Sequence, residues 1–163
     1  MEDEPPAYVV DTSAWADLRD VMAVPGVWAR LNGLVTAGRL IVPQEVVVEL
    51  QPYWHVLDRW VRDQTACHWA TVELWPMACT IADRYPDLVN YAKFKWASGA
   101  DPFVVAAAVI ERDKPVLLPR EAIVVSSEKN HGPGRISIRD ACEAEAVRCC
   151  NIEEWFNHEH WGV

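Results

Sequence analysis

The sequence predicts a three-layer α/β fold: a central, mostly parallel sheet flanked by helices, with a helical insertion in the middle third. Short apolar runs supply the first observation. Tyr8-Val9-Val10, Leu40-Ile41-Val42 and Ala122-Ile123-Val124-Val125 have the continuity of strands buried on both faces. Helical periodicity follows each run, with apolar residues recurring at three- and four-residue intervals. Turn formers separate the two kinds of segment, at Pro25-Gly26, Gly38, Ser98-Gly99 and Asn130 to Gly134. Strands and helices taking turns in this way are the pattern of a parallel sheet joined by crossovers.

Taken in order, residues 7–10 are the first strand. Thr12 or Ser13 then caps a helix carrying Trp15, Leu18 and Met22 on one side. After Pro25-Gly26 a second helix carries Val27, Leu31, Leu34 and Val35, and Gly38 ends it. Arg39-Leu40-Ile41-Val42 is a short strand. Pro43 suits the first turn of the next helix, which Pro52 stops. Residues 53–97 carry no convincing strand: Trp54, Leu57, Trp60 and Val61 recur at helical spacing, as do Val72, Trp75 and Cys79. This stretch is the expected helical insertion or cap. An apolar helix runs from Pro102 to about Glu111. A strand is expected at 116–118 or 122–126, with 122–125 favoured as the central one. Residues 130–134 form a loop, 137–147 a helix, Arg148-Cys149-Cys150 a short strand, and Ile152 opens a final helix.

Composition bounds the function. The 163 residues suit one domain, 51% apolar and 24% charged. Residues 1–6 are acidic and proline-rich and read as a disordered lead-in, without the basic and apolar regions of a signal peptide. No apolar run reaches membrane-span length. The five cysteines are odd in number and form no CxxC pair, which favours reduced thiols in a cytoplasmic protein. A net charge of −9 argues against broad nonspecific attraction to nucleic acid, yet suits a basic protein partner and is compatible with an acidic metal site.

Four acids stand at the ends of expected elements: Asp11, Glu49, Asp101 and Glu128. A parallel sheet brings such ends to one edge, where ligand crevices form. Carboxylates gathered there repel one another, and a hard divalent cation relieves the repulsion. Each acid also has an ordinary structural reading. Asp11, with Thr12 and Ser13, fits a strand-to-helix turn. Glu45 and Glu49 share one helical face; Glu45 lies in the first turn, where the dipole favours an acid, so Glu49 is the better ligand candidate and Glu45 the structural one. Asp101 before Pro102 reads as an N-cap, a role compatible with a metal-facing second oxygen. Glu128 reads equally as a solvated loop acid.

Val9-Val10-Asp11-Thr12-Ser13, Ile41-Val42-Pro43 through Glu49-Leu50, Asp101-Pro102-Phe103-Val104-Val105-Ala106-Ala107-Ala108 and Val124-Val125-Ser126-Ser127-Glu128 occur in an order that resembles the PIN-domain ribonucleases, particularly the VapC-like toxins of toxin–antitoxin systems. The resemblance implies a PIN-like fold and Mg²⁺- or Mn²⁺-dependent hydrolysis of RNA, leaving a 5′-phosphate and a 3′-hydroxyl. It places Asp11, Glu49, Asp101 and Glu128 as catalytic metal ligands, with Thr12, Ser13 and Ser126 supporting them. Many relatives carry Asp where Glu128 stands. A cognate antitoxin is the implied partner, and a homodimer is a further expectation. The 53–97 stretch is the least matched part.

Lys129, His131, Arg135 and Arg139 follow the fourth acid and are candidate phosphate contacts. Lys93 and Lys95, interleaved with Tyr91, Phe94 and Trp96, are candidate contacts that pair stacking with charge. Their ordinary reading is a solvated loop and an amphipathic helix end. Most of the nine tryptophans are expected in the core, with those between 54 and 75 available as a surface for an antitoxin or second subunit. Two alternatives stand beside the nuclease. A degenerate PIN-like module would bind protein or RNA without cleavage. A haloacid-dehalogenase-type phosphatase also begins with a strand-borne Asp but wants a second Asp two residues on, where this chain has Ser13.

Overall fold

A computed structural model describes residues 4–89, 99–129 and 134–162. Five strands build one sheet: β1 (Ala7–Val10), β2 (Leu40–Pro43), β3 (His68–Trp69), β4 (Ala122–Val125) and β5 (Arg148–Cys150). Their spatial order is β3-β2-β1-β4-β5, and every neighbouring pair is parallel. β1 is the middle strand, buried along its length, as an unbroken apolar run in a parallel sheet should be. It pairs through Tyr8 and Val9 with Leu40 and Ile41 on one side. On the other side Ala7 to Val10 face Ala122 to Val125. This is the three-layer α/β arrangement, consistent with a PIN-like fold.

The helices among the described residues are α1 (Thr12–Val21), α2 (Val27–Thr36), α3 (Gln44–Leu50), α4 (Val56–Asp63), α5 (Thr71–Arg84), α6 (Asp101–Arg112), α7 (Ile138–Ala144) and α8 (Ile152–His158). α6 lies across β1, β2 and β4 and packs against α5 and α7. All but its first and tenth residues through position 111 are buried, which explains its run of valines and alanines: small side chains let a helix sit close to a sheet. α8 packs against α1, and its Trp155 meets the Tyr8 ring with centroids 5.4 Å apart. Ion pairs tie the elements together. Arg19 of α1 grips the fully buried Asp58 of α4 with three hydrogen bonds of 2.8–3.1 Å. Arg39 ion-pairs with Glu159, which also accepts from the Tyr8 hydroxyl at 2.5 Å.

Several expectations need correction. The middle third holds a strand after all. β3 is only two residues long and half-buried at the sheet edge, so it leaves no apolar run to detect. Pro43 ends β2 and caps α3 instead of opening its first turn. Neither Thr12 nor Ser13 caps α1; Asp11 occupies the cap position. Asp101 is not the cap of α6. Ala100 precedes the helix already in helical geometry (φ −65°, ψ −24°), and Asp101 is the first helical residue. The helix expected over 137–147 stops at Ala144, and Ala146 turns the chain with φ +55°. Of the lead-in, residues 1–3 lie outside the described residues, while the Pro6 carbonyl accepts from Arg39 Nε at 2.8 Å and is tethered.

Candidate functional site at the sheet's switch point

The strand order departs in opposite directions from β1 and β4, so their C-terminal ends mark the switch point where an open parallel sheet forms its crevice. Asp11 and Ser126 are the first residues beyond those two strands. The Asp11 amide donates to the Val125 carbonyl at 2.9 Å, extending the β1–β4 ladder by one rung and fixing Asp11 beside Ser126.

Hydroxyls surround the Asp11 carboxylate. Its Oδ2 accepts from Ser13 Oγ at 2.7 Å and from Ser126 Oγ at 3.2 Å. The two serine oxygens are 3.3 Å apart, and Ser13 Oγ also accepts from the Ser127 amide at 3.0 Å. Glu49 is held separately. One oxygen accepts from Thr12 Oγ1 at 2.5 Å, the other from the Ala100 amide at 3.3 Å. Thr12 therefore links the first acid's turn to the second acid, and Ala100 links Glu49 to the start of α6, where Asp101 follows. The structure brings Asp11, Thr12, Ser13, Glu49 and Ser126 into one hydrogen-bonded neighbourhood bordered by Asp101. Glu128 stands at its margin: its amide donates to Ser126 Oγ at 3.2 Å, while its carboxylate accepts from the Ile138 amide of α7 at 3.1 Å.

Burial dominates the electrostatics. Asp11 is 4% exposed, and loss of hydration pushes its carboxyl above the ordinary aspartate range. The Ser13 hydroxyl, the Thr12 amide and the Ser126 hydroxyl pull it down, and the charge of Glu49 pushes it up. Among the described residues neither Asp11 nor Glu49 has an ion-pair partner. An all-oxygen donor set with uncompensated negative charge fits a hard divalent cation. Among the described residues no group of three or more His, Cys, Asp and Glu is gathered closely enough to hold a metal. Mg²⁺ tolerates this, because it keeps several waters and is commonly held by one or two carboxylates.

The family model described as Domain of unknown function (DUF4411) matches residues 8–163. The chain belongs to this family. No curated protein and no solved structure matches it. In this DUF4411 chain the matched region contains every site residue named above.

The remaining candidates are dispersed. Lys129 and Arg135 are exposed beyond β4, and Arg139 pairs with Glu154 at 3.6 Å. Lys93, Lys95 and His131 lie outside the described residues. Trp15, Trp155 and Trp161 are buried, whereas Trp54 and Trp75 are more than half exposed, beside exposed Tyr53, Val56 and Val72. No helix among the described residues is long and apolar enough to cross a membrane.

Two thiols near the site escaped the sequence reading. Cys142 of α7 and Cys149 of β5 act on each other's titration, lowering the Cys149 pKa and raising that of Cys142, and the charge of Asp11 acts on both. Their proximity depends on α7 folding back along β5, which no local pattern signals.

Proposed function

We propose that the chain is a metal-dependent endoribonuclease that hydrolyses RNA phosphodiester bonds, acting in the cytoplasm as the toxin of a toxin–antitoxin pair. The observation that carries this reading is the buried Asp11 beside Glu49 at the switch point, two acids without an ion-pair partner among the described residues. The PIN-like resemblance of the motifs around them supports it. Mg²⁺ or Mn²⁺ would be held by Asp11 and Glu49, with Asp101 and Glu128 as the further acids of the set. Such an ion neutralises phosphate charge and makes a bound water more acidic.

The chain's own residues orient these acids. Ser13 and Ser126 hold one oxygen of Asp11, and the Thr12 amide also bonds the carboxylate. Thr12 and the Ala100 amide hold the two oxygens of Glu49, each of which keeps a second lone pair. Burial keeps water from the Asp11 carboxylate, while Glu49 is half-buried beside it. Lys129 and Arg135 supply exposed positive charge for phosphate in a chain whose net charge is −9. The exposed side chains of Tyr53, Trp54, Val56, Val72 and Trp75 offer apolar contacts for an antitoxin segment or a second subunit.

Two observations favour a second reading, a degenerate PIN-like binding module: Glu128 is engaged by α7, and no group of three or more acids, histidines or cysteines able to hold a metal forms among the described residues. Incubation of purified protein with single-stranded RNA in millimolar Mn²⁺ separates the two. Cleavage to 5′-phosphate ends is expected, with Glu49→Gln reduced to background while its far-ultraviolet spectrum is unchanged. Mn²⁺ should stabilise the parent by about 2.7 kcal/mol at a hundredfold excess over its Kd. Metal-dependent stabilisation without cleavage would favour the binding module. A melting curve indifferent to Mn²⁺ together with intact RNA would remove the nuclease.

A further inference from the structure

We infer that Cys142 and Cys149 are a peroxide-reactive pair: a hydroperoxide oxidises Cys149, and Cys142 resolves the product into a disulfide that staples α7 to β5. This chemistry is separate from RNA cleavage and asks nothing of the site acids. Both cysteines are free thiols. Cys142 is wholly buried in α7, and Cys149 is half-buried in β5 at the edge of the sheet.

The backbone brings the two together. The chain leaves α7 after Ala144 and enters β5 at Arg148, and between them the Val147 amide donates to the Cys142 carbonyl at 2.8 Å. Cys149 lies two residues on. Arg139, one turn before Cys142 on the same face of α7, reaches across to donate to the Cys149 carbonyl at 3.3 Å. α7 thus lies along β5, and the thiols are side-chain neighbours: a hydrogen bond with the other is the largest influence on each. Cys150 cannot take the place of Cys149 in this pair, because successive residues of a strand point to opposite faces.

The two thiols are unequal. A thiolate, not a thiol, is the nucleophile. The hydrogen bond with Cys142 and the charge of Arg139 hold Cys149 below the ordinary thiol range, against the cost of its burial. The same hydrogen bond and burial push Cys142 well up. Burial also pushes Cys67 up to about 11 and Cys150 up to about 12. A partly accessible thiol that ionises early, beside a second cysteine able to resolve it, is the arrangement that makes oxidation site-selective.

The steps balance. The Cys149 thiolate attacks one peroxide oxygen; an S–O bond forms and the O–O bond breaks. The departing oxygen takes up the proton that Cys149 released and leaves as an alcohol, or as water where the oxidant is hydrogen peroxide. Cys149 is then a sulfenic acid. The Cys142 sulfur attacks the Cys149 sulfur; an S–S bond forms, the S–O bond breaks, and hydroxide leaves with the Cys142 proton as water. The sulfurs are oxidised and the peroxide is reduced.

Peptide mapping of the full chain tests the pair. The reduced protein is treated with hydrogen peroxide, blocked with N-ethylmaleimide and digested with trypsin without reductant. Cleavage after Arg139 and Arg148 puts Cys142 in peptide 140–148 and Cys149 in peptide 149–163. These peptides should be found joined, and dithiothreitol should separate them. Cys150→Ser should keep the link and Cys149→Ser should lose it. In Cys142→Ala the sulfenic acid has no resolving thiol, so dimedone should label Cys149 in preference to Cys67 and Cys79. Recovery of Cys142 and Cys149 as separate maleimide adducts from the oxidised parent overturns the inference, and needs no variant to fold. A link lost in Cys150→Ser or kept in Cys149→Ser overturns it too, as does dimedone labelling of Cys67 or Cys79 as fast as Cys149.

Discussion

Asp11→Asn is expected to raise the melting temperature of the metal-free protein and to abolish RNA cleavage. The carboxylate is buried, the charge of Glu49 acts on it with the same sign, and its support comes from hydroxyls and an amide. Asparagine keeps the shape and can still bond Ser13 and Ser126, whose hydroxyls rotate to suit. It removes the cost of holding a negative charge away from water. The pH dependence follows from the direction of the shift. A carboxyl whose folded pKa is raised contributes stability below its unfolded value, and that contribution is lost as pH rises through the folded value. The advantage of Asp11→Asn should therefore be small in acid and grow to a plateau above the folded pKa. Each kcal/mol gained corresponds to about 2–4 °C in a chain of this size. Stabilisation by Mn²⁺ should vanish in the variant. Paired melting curves from pH 4 to 8, with and without Mn²⁺, check all of this. A variant less stable than the parent at neutral pH without metal would show that Asp11 serves the fold, not a ligand.

Arg19→Leu is expected to destabilise the fold by about 3–5 kcal/mol, the usual cost of stranding one partner of a buried ion pair. Asp58 has no exposed side-chain surface, and Arg19 meets it through both Nε and Nη2. The guanidinium also lies over the Tyr53 ring, 4.5 Å from its centroid, so packing is lost along with charge. Asp58→Asn in the same background should recover part of the loss, because the stranded charge is then gone. Chemical denaturation of the two single variants and the double variant measures the coupling. Additive losses would mean that the pair contributes nothing beyond its separate parts.

The central strands were legible because burial on both faces demands unbroken apolar runs, and Tyr8-Val9-Val10 and Ala122 to Val125 satisfy that locally. β3 was not legible, since His68 and Trp69 become a strand only by pairing with Val42 and Pro43. The placement of Asp11, Glu49 and Ser126 at one end of the sheet follows from element order, which the sequence displays. Their hydrogen bonds do not, because Thr12 reaching Glu49 and Ala100 facing Glu49 depend on how α3 and α6 meet across the sheet. Asp101 misled for a local reason. An Asp before a proline usually lies outside the helix, whereas here the helical geometry begins at Ala100 and carries the acid into the first turn. Glu128 illustrates the reverse: its sequence context gave no hint that the Ile138 amide, ten residues on, would claim it.

The pairing of β1 with β4 also sets a timetable. Asp11 and Ser126 are 115 positions apart, so a ribosome can display the first acid long before its serine exists. Until β4 emerges, one edge of β1 has no neighbour, and an unpaired apolar strand invites association with other chains. Late docking of β4 thus closes the exposed edge and completes the hydroxyl cradle in a single event, so a growing chain acquires its site and loses its stickiness together.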